Sequence, residues 1–403
     1  MRSNYKKLGN YIQQVKKRNA DNFLTVENLR GININKEFMP SVANVTGTDL
    51  SKYKVVEKNQ FAYNPMHVGR DGVLPISMLE LEQKVIVSPA YVIFEVVDKQ
   101  ILLPEYLMMW FRRSEFDRNA WFTTDSSVRG GFNWDDFCEL ELPIPSIEKQ
   151  REIVAEYYAI TNRIKLNEQL NQKLEETAQA IYKEWFVDFN FPHNFSHSEL
   201  DSESDIRPYK SGGGEMVWCE ELEKEIPKGW GVSKLSDFAE IKAGGDKPKI
   251  VKKYMSSKYS IPIFGNSTVD EGLYGFTNAP KVTKKSITVS ARGAIIGYTV
   301  LRLASFVPIV RLIVITPYSE SFLCYLYLSI SSLRFHSESS AQGQLTVPDI
   351  SSFEILKPAV NIVTKFSCFI DKILSRVDLK KKEILELNRL KEILLSKMAT
   401  VEG

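Results

Sequence analysis

The sequence predicts two mixed α/β domains in tandem, each followed by a long helix. Residues 127–145 and residues 340–358 carry similar sequences at one constant offset in residue number. Each copy runs into a long helical pattern that keeps the same offset. Upstream of each copy, short β-rich runs alternate with helix-length segments, which is typical of mixed α/β domains. Two related units are therefore the simplest division of the 403 residues.

The repeat is carried by identical residues at equivalent positions. Five pairs match at the constant offset: Ser127/Ser340, Gly130/Gly343, Asp136/Asp349, Glu141/Glu354 and Pro145/Pro358. Further upstream, residues 7–12 resemble residues 234–239, at a somewhat larger offset. The segments between these matches therefore differ by the length of a loop.

The segment boundaries follow from the repeat and from changes in composition. They predict a first domain over 1–147, a helix over 148–189, a linker over 190–227, a second domain over 228–358 and a C-terminal helix over 359–403. Within the domains, strands are expected at 84–87, 91–97, 286–290 and 309–315, and helix-length segments at 104–116 and 321–335.

The linker differs in composition from the elements around it. Residues 190–216 are rich in Ser, Asp, Glu and Gly, and we expect a flexible or surface-laid connector without packed elements. Pro227 and Gly229 then mark a turn, and Trp230 is expected to anchor the second domain.

Each long helix carries an apolar stripe with alternating steps of four and three residues, which predicts a coiled-coil seam. The two stripes share one register, so we expect the helices to pack on each other. Asn167 and Ala178 are equivalent to Lys380 and Lys391 in the repeat, and the polar members relieve an otherwise apolar seam. The other seam positions are Ile153, Tyr157, Ile160, Ile164, Asn171, Leu174, Ile181, Trp185, Phe366, Ile370, Ile373, Val377, Ile384, Leu387, Leu394 and Met398.

Charge is distributed unevenly along the chain. The formal net charge is only +2, but the second domain has 16 Lys and Arg against nine Asp and Glu, and the linker before it has three against nine. A domain with a net charge of +7 fits a polyanion-binding face. A solvated basic surface remains the alternative explanation of charge alone.

The cysteines and the apolar segments exclude several classes of protein. Cys138, Cys219, Cys324 and Cys368 form no C-x-x-C pair, so neither a disulfide framework nor a zinc ribbon is expected, and the pattern is typical of a cytosolic protein. The most apolar stretch, 306–316, is interrupted by a proline and an arginine. Secretion and membrane spanning are not expected.

No motif in the sequence predicts catalysis. His193 and His197 lie in the linker without the glutamate of an H-E-x-x-H site, so no metal site is expected. The glycines at 212–214 and 244–245 lack the spacing of a phosphate loop and are interpreted as flexible turns. Residues 64–67, Asn-Pro-Met-His, lack the second proline and the aromatic residue of an adenine-methyltransferase motif and are expected to form a turn.

Three segments carry a resemblance to a known family. They are residues 142–154, LPIPSIEKQREIV, residues 181–189, IYKEWFVDF, and residues 226–230, IPKGW. Together they resemble the central conserved region of the DNA specificity subunits of type I restriction-modification enzymes. The second copy differs at residues 357–363, KPAVNIV, where the Glu-Lys-Gln-Arg-Glu run is absent.

The resemblance implies a non-catalytic DNA reader and scaffold. In this family each globular unit is a target recognition domain for one half of a split DNA sequence, and the helices form an antiparallel coiled coil between the two domains of a pseudo-twofold protein. Expected partners are double-stranded DNA with a bipartite site, two methyltransferase subunits and, in complexes that cut DNA, two restriction subunits. S-adenosylmethionine and ATP are expected on those subunits, and no cofactor or metal is expected in this chain. A cytoplasmic location is expected.

Loop residues with suitable chemistry are the candidate DNA contacts. Arginine can bond guanine with two hydrogen bonds, glutamine can do so with adenine, and lysine mostly meets phosphate. The candidates are Lys52, Arg70 and Arg129 in the first domain and Lys247, Lys249, Arg292, Gln342 and Gln344 in the second. Arg129 and Gln342 occupy equivalent positions of the repeat. Trp121, Phe122 and Trp134 are expected in the core instead.

Two other function classes are compatible with parts of the sequence. A coiled-coil protein-interaction adaptor without DNA readout would leave the basic second domain unexplained. A self-contained DNA methyltransferase would need methyl-donor and base-binding motifs, and the sequence carries neither.

Overall fold

A computed structural model describes residues 5–42, 47–66, 72–123, 131–194, 206–333 and 344–400. The chain divides into two compact units: unit 1 comprises Met1–Leu166 and Glu383–Gly403, and unit 2 comprises Asn167–Lys382. This division passes through both long helices, whereas the sequence-based division treats each helix as a separate segment. Within the described ranges, no helix is long and apolar enough to span a membrane.

Unit 1 holds the first α/β domain. Its described strands are β1 Tyr5–Lys7, β2 Ile12–Val15, β3 Arg30–Ile32, β4 Phe38–Pro40, β5 Lys54–Glu57, β6 Phe61–Tyr63, β7 Ile76–Met78, β8 Lys84–Val87, β9 Val92–Val96 and β10 Glu141–Pro143. Its helices are α1 Pro104–Phe111, α2 Ser114–Thr123 and α3 Trp134–Glu139, and α4 Ile147–Phe186 begins here.

An antiparallel four-stranded sheet, ordered β2-β9-β6-β7, supports this domain. On it lies an aromatic core in which Phe61 stacks on Phe94 at 4.9 Å between ring centroids. Phe111 of α1 meets Phe61 edge-to-face at 5.9 Å, and Phe137 of α3 lies 5.1 Å from Phe94. Aromatic pairs of this kind add specific geometry to the apolar burial that holds helix and sheet together.

Unit 2 holds the second α/β domain. Its described strands are β11 Pro192–Asn194, β12 Ile206–Pro208, β13 Met216–Cys219, β14 Lys224–Pro227, β15 Gly231–Lys234, β16 Ala239–Ala243, β17 Ile261–Phe264, β18 Leu273–Thr277, β19 Ser286–Ser290, β20 Thr299–Arg302, β21 Val307–Pro308, β22 Leu312–Pro317 and β23 Glu354–Lys357. Its helices are α5 Leu323–Ser332 and α6 Val347–Ser352, and α7 Val360–Lys397 begins here.

The two domains repeat one topology, which confirms the predicted tandem fold. The main sheet of unit 2 is ordered β16-β22-β19-β20 and is antiparallel, as in unit 1. Lys6 pairs with Leu142 across β1 and β10, and Ser233 pairs with Ile355 across β15 and β23. These partners are related by the same two offsets that the sequence shows for the upstream and downstream matches. The repeat therefore extends to the hydrogen-bond register.

The linker is more ordered than its composition predicts. Strands β11 and β12 form one hairpin, and β13 and β14 form another. Phe191 stacks on Tyr209 at 4.7 Å and on Trp230 at 5.0 Å. The expectation of a connector without packed elements is wrong for these residues, because a few spaced aromatic side chains bring the hairpin onto the domain despite the polar residues around them. Residues 195–205 lie outside the described ranges.

Within each unit, the segments of α4 and α7 run antiparallel. In unit 1, Tyr157 shares an apolar cluster with Leu394, whereas Arg163, further along α4, pairs with Glu383 at 2.6 Å. In unit 2, the Trp185 and Phe366 rings lie 5.5 Å apart, and Glu175 pairs with Lys381 at 2.9 Å. In both units a later position on α4 meets an earlier position on α7.

Burial along the helices follows the predicted stripe. Each predicted seam residue is buried or half-buried. The seam is polar at Asn167 and Asn171, which are 3% and 6% exposed. Further buried residues, including Phe186 and Val363, widen the apolar face at helix ends because those ends pack on the globular domain as well.

Candidate nucleic-acid interface

Gln150, in the segment 142–154, holds the start of α4 on the first domain. Gln150 is fully buried; its Oε1 accepts from the Leu103 backbone at 2.8 Å, and its Nε2 donates to the carbonyls of Ile101 and Pro145 at 2.8 and 2.9 Å. The equivalent position in α7 is Val363, also fully buried. At this position the second copy therefore makes the junction by apolar packing instead of hydrogen bonds.

Several polar loops lie at one end of the main sheet in unit 2. Ser290 at the end of β19 pairs with Leu312 at the start of β22, and Ala243 at the end of β16 pairs with Ile313. The loops that follow or precede these residues therefore meet at the same end of the sheet, which we call the polar edge of unit 2. Loops at the ends of a rigid sheet are suited to carry binding residues.

Two predicted DNA contacts come together at this edge. Arg292 Nε donates to Gln344 Oε1 at 2.5 Å, and the two residues form an isolated antiparallel bridge. Arg292 is exposed and Gln344 is half-buried. Fifty-two residues separate them in sequence, so only the fold makes them neighbours. The pair joins a guanidinium and an amide, the two groups best suited to base edges in the major groove.

A lysine-rich loop, residues 247–259, lies in the same domain. It contains five lysines and two tyrosines and no acidic residue. Lys247 Nζ donates to the Tyr274 hydroxyl at 2.7 Å, and Lys249 is exposed. Lys247 and Lys249 were predicted from the sequence as DNA contacts. Lys252 and Lys253, which are both exposed, were not. The run of lysines without an acid was the signal that could have identified the whole loop as a phosphate-binding surface.

The other predicted contacts are more scattered or lie outside the described ranges. Lys52 is exposed at the end of a short 3-10 helix, and its Nζ lies 3.9 Å from Asp49 Oδ2. It is distant in sequence from the other candidates of its domain. Arg70, Arg129 and Gln342 lie outside the described residues.

The aromatic candidates of unit 1 divide into two groups. Trp134 is half-buried and stacks on Phe137 at 5.9 Å, as expected of a core residue. Trp121 and Phe122 at the end of α2 are 49% and 77% exposed, so their expected core position is wrong. The helix turns this face outward because Phe116 and Ala120 supply its buried side.

The remaining sequence motifs have structural explanations. Asn64 Oδ1 accepts from the Met66 backbone at 3.0 Å, which makes the expected turn. His193 lies in β11 with its ring 5.0 Å from Tyr209, and His197 lies outside the described residues. No group of metal-binding side chains occurs in the described part of the chain.

Gly244 is not a flexible turn, contrary to the sequence-based interpretation. A Cβ at this position would lie 2.4 Å from the Ile309 carbonyl oxygen. The Gly244 backbone N–H donates to the Leu312 carbonyl at 2.7 Å. The residue must be glycine because two backbones approach closely at this sheet edge.

A partly exposed ionic network built around the buried Arg302 supports the same region. Glu271 pairs with Arg302 at 3.4 Å and with Lys381 of α7 at 2.7 Å, and Lys381 pairs with Glu175 of α4 at 2.9 Å. Burial lowers the pKa of Arg302 to about 10, against the opposing charge of Glu271. For Lys381, burial also disfavours the charged form, but the charges and hydrogen bonds of Glu271 and Glu175 outweigh it and raise the pKa. The network ties the loop between β17 and β18 to both helices.

These features define a class of protein: a duplicated α/β protein with paired helices and a basic, loop-borne polar surface in its second domain. A family model for the type I restriction modification DNA specificity domain matches residues 227–389. The HindI specificity subunit of Haemophilus influenzae is 24% identical in an alignment of 428 positions that covers 92% of each chain.

Two relatives in Mycoplasma pneumoniae are more similar over shorter regions. A putative type I specificity subunit is 32% identical over 139 residues, 34% of this chain and 38% of that protein. The C-terminal part of another putative type I specificity subunit is 30% identical over 115 residues, 26% of this chain and 79% of that protein. The chain thus spans less than two thirds of the first relative and more than two thirds of the second.

Among solved structures, the type I restriction-modification S subunit of M. genitalium has a similar fold. The TM-score is 0.60 at 14% identity, over 99% of this chain and 96% of that chain. The chain belongs to the family of type I restriction-modification DNA specificity subunits, which are the recognition rather than the catalytic components of their systems.

Proposed function

We propose that this chain reads a bipartite DNA target, one half-site with each α/β domain, for a type I restriction-modification complex. The observation that carries the proposal is the duplication: two domains keep one sheet order and one strand register while their loops differ. A duplicated scaffold with different loops is suited to two half-sites of different sequence.

The basic edge of unit 2 supports DNA as the ligand. The Arg292–Gln344 pair can address base edges, and the loop over 247–259 supplies lysines for phosphates. An adaptor without DNA contact would have no use for this division between reading groups and phosphate-binding groups.

The partners follow from the same proposal. Two methyltransferase subunits dock on the helices and domains and carry S-adenosylmethionine, and two restriction subunits join to cut DNA with ATP. The apolar seam and the ionic network hold the helices together for this docking.

Co-expression with a cognate type I methyltransferase subunit tests the proposal. We expect adenine methylation at one split motif when both subunits are present, and none with either subunit alone. Methylome sequencing of a host without other adenine methylation gives the motif directly. Changing both Arg292 and Gln344 to Ala should alter one half of the motif and leave the other half unchanged. Methyl transfer by the purified chain alone, or an undivided motif, contradicts the proposal.

A further inference from the structure

An open cleft lies at the polar edge of unit 2. Its volume is about 550 Å³, and it is lined by residues 265–267, 269, 272–274 and 309–311. None of these lining residues is acidic. Among them Arg311 is the only cationic residue, and it is exposed. Such a lining accepts an anionic or hydrogen-bonding ligand better than a cation.

Arg311 stands in an unfavourable backbone conformation. Its φ is 73°, in the left-handed region where the backbone of any residue other than glycine is strained. The next residue, Leu312, begins β22 and is buried, and the Arg311 carbonyl accepts from the Ala291 backbone at 3.0 Å. The surrounding structure therefore holds the strained position. Strain of this kind is concentrated at functional sites, where it positions a side chain.

Residues 291–292 connect Arg311 to Asn266 and to Gln344. Asn266 Oδ1 accepts from the Ala291 backbone at 3.1 Å, and its Nδ2 donates to the Arg292 carbonyl at 3.0 Å. Ala291 is also the residue that contacts the Arg311 carbonyl. Asn266, Arg311 and Gln344 thus all contact residues 291–292, so four chain segments meet there and bring two arginines to one end of the sheet.

The geometry points to Arg311 as a specificity-determining residue that reads a guanine in the half-site of the second domain. This inference rests on the proposed function. A guanidinium can donate two parallel hydrogen bonds to guanine O6 and N7, whereas a lysine in its place would offer only a point charge. Lys247, held against Tyr274 at the border of the cleft, is positioned for the neighbouring phosphate instead.

Arg311→Gly is an informative variant because it removes the guanidinium and relieves the strain. The fold should therefore be retained or stabilised. Arg311→Lys keeps the charge and loses the bidentate fork. Glu223→Gly is the matched control: Glu223 is exposed, has a φ of 50°, and lies at the turn between β13 and β14 of the same unit.

Each full-length variant is co-expressed with the cognate methyltransferase subunit, and the methylome is sequenced. We expect Arg311→Gly and Arg311→Lys to lose selectivity at a single guanine of one half-site, by roughly 5- to 150-fold. The other half-site stays unchanged, and Glu223→Gly retains the wild-type motif.

Two results overturn this inference and leave the proposed function intact. One is an unchanged motif in Arg311→Gly. The other is a uniform loss of methylation with the motif intact, because that would place Arg311 on phosphate. Absence of any motif with the wild-type chain overturns the proposed function, and this inference with it.

Discussion

Glu271→Gln tests whether the ionic network around Arg302 holds the second domain on the helices. Glu271 is 30% exposed at its side chain and Arg302 only 5%. The change removes the charge and keeps the shape. Arg302 then keeps its hydrogen bond to the Glu271 carbonyl at 2.6 Å and its position over the Phe264 ring at 3.6 Å, but it loses its paired charge. Lys381 loses its ion pair with Glu271 and keeps its ion pair with Glu175.

The expected loss follows from these remaining contacts. Removing one partner of a fully buried ion pair costs roughly 3–5 kcal/mol, and the contacts that Arg302 retains reduce this to about 2–3 kcal/mol. Native-state hydrogen exchange by mass spectrometry measures the loss locally. Peptides from β18, β20 and the unit 2 part of α7 should exchange roughly 30- to 150-fold faster, since each 1.4 kcal/mol is tenfold. Peptides of the first domain should be unchanged.

Glu176→Gln is the control for the same chemical change. Glu176 pairs with Lys173 at 2.8 Å on the surface of α4, with side chains 51% and 76% exposed. An exposed pair contributes little to stability because water screens its charges. If Glu271→Gln speeds exchange no more than Glu176→Gln, the network does not stabilise this region.

Two further predictions concern unit 2. Changing Lys249, Lys252 and Lys253 together to Gln should flatten the log–log salt dependence of duplex binding by about 0.9 for each phosphate that these lysines neutralise; fluorescence anisotropy of the full complex measures it, and an unchanged slope contradicts a phosphate role. Gly244→Ala should lower the free energy of unfolding by about 1–3 kcal/mol, because the new methyl group meets the Ile309 carbonyl. Gly231→Ala, which meets nothing within 4 Å, should be neutral in the same urea titration.

The fold was predictable where one local signal was repeated. The helix from Trp134 and the helix from Val347 begin at equivalent positions of the repeat, as do the long helices from Ile147 and Val360. A periodic apolar stripe marks a helix whatever it packs against, so the two long helices could be predicted from the sequence alone. The two short helices were not predicted. The strand at residues 84–87 was likewise predicted with its bounds.

The candidate site was less predictable because it depends on contacts between distant segments. Arg311 appears in the sequence only as an interruption of the apolar run over 306–316. Its value as a candidate comes from its φ, from the cleft and from its contact with Ala291, and none of these can be read from the local sequence. The linker hairpin was missed for the same reason, since Phe191 is ordered by Tyr209 and Trp230 across the fold.

The contacts that repeat are those that join each domain to its helices. Tyr106 donates its hydroxyl proton to the Pro143 carbonyl at 3.1 Å, and Tyr325 donates to the carbonyl of Leu356, the equivalent of Pro143 in the second copy, at 2.5 Å. The buried positions Gln150 and Val363 fill one place with different chemistry. A junction built from backbone register and buried side chains is independent of the loops at the reading edge. Those loops can therefore differ between the two domains without disturbing the helices, which is what the proposed reading of two unlike half-sites requires.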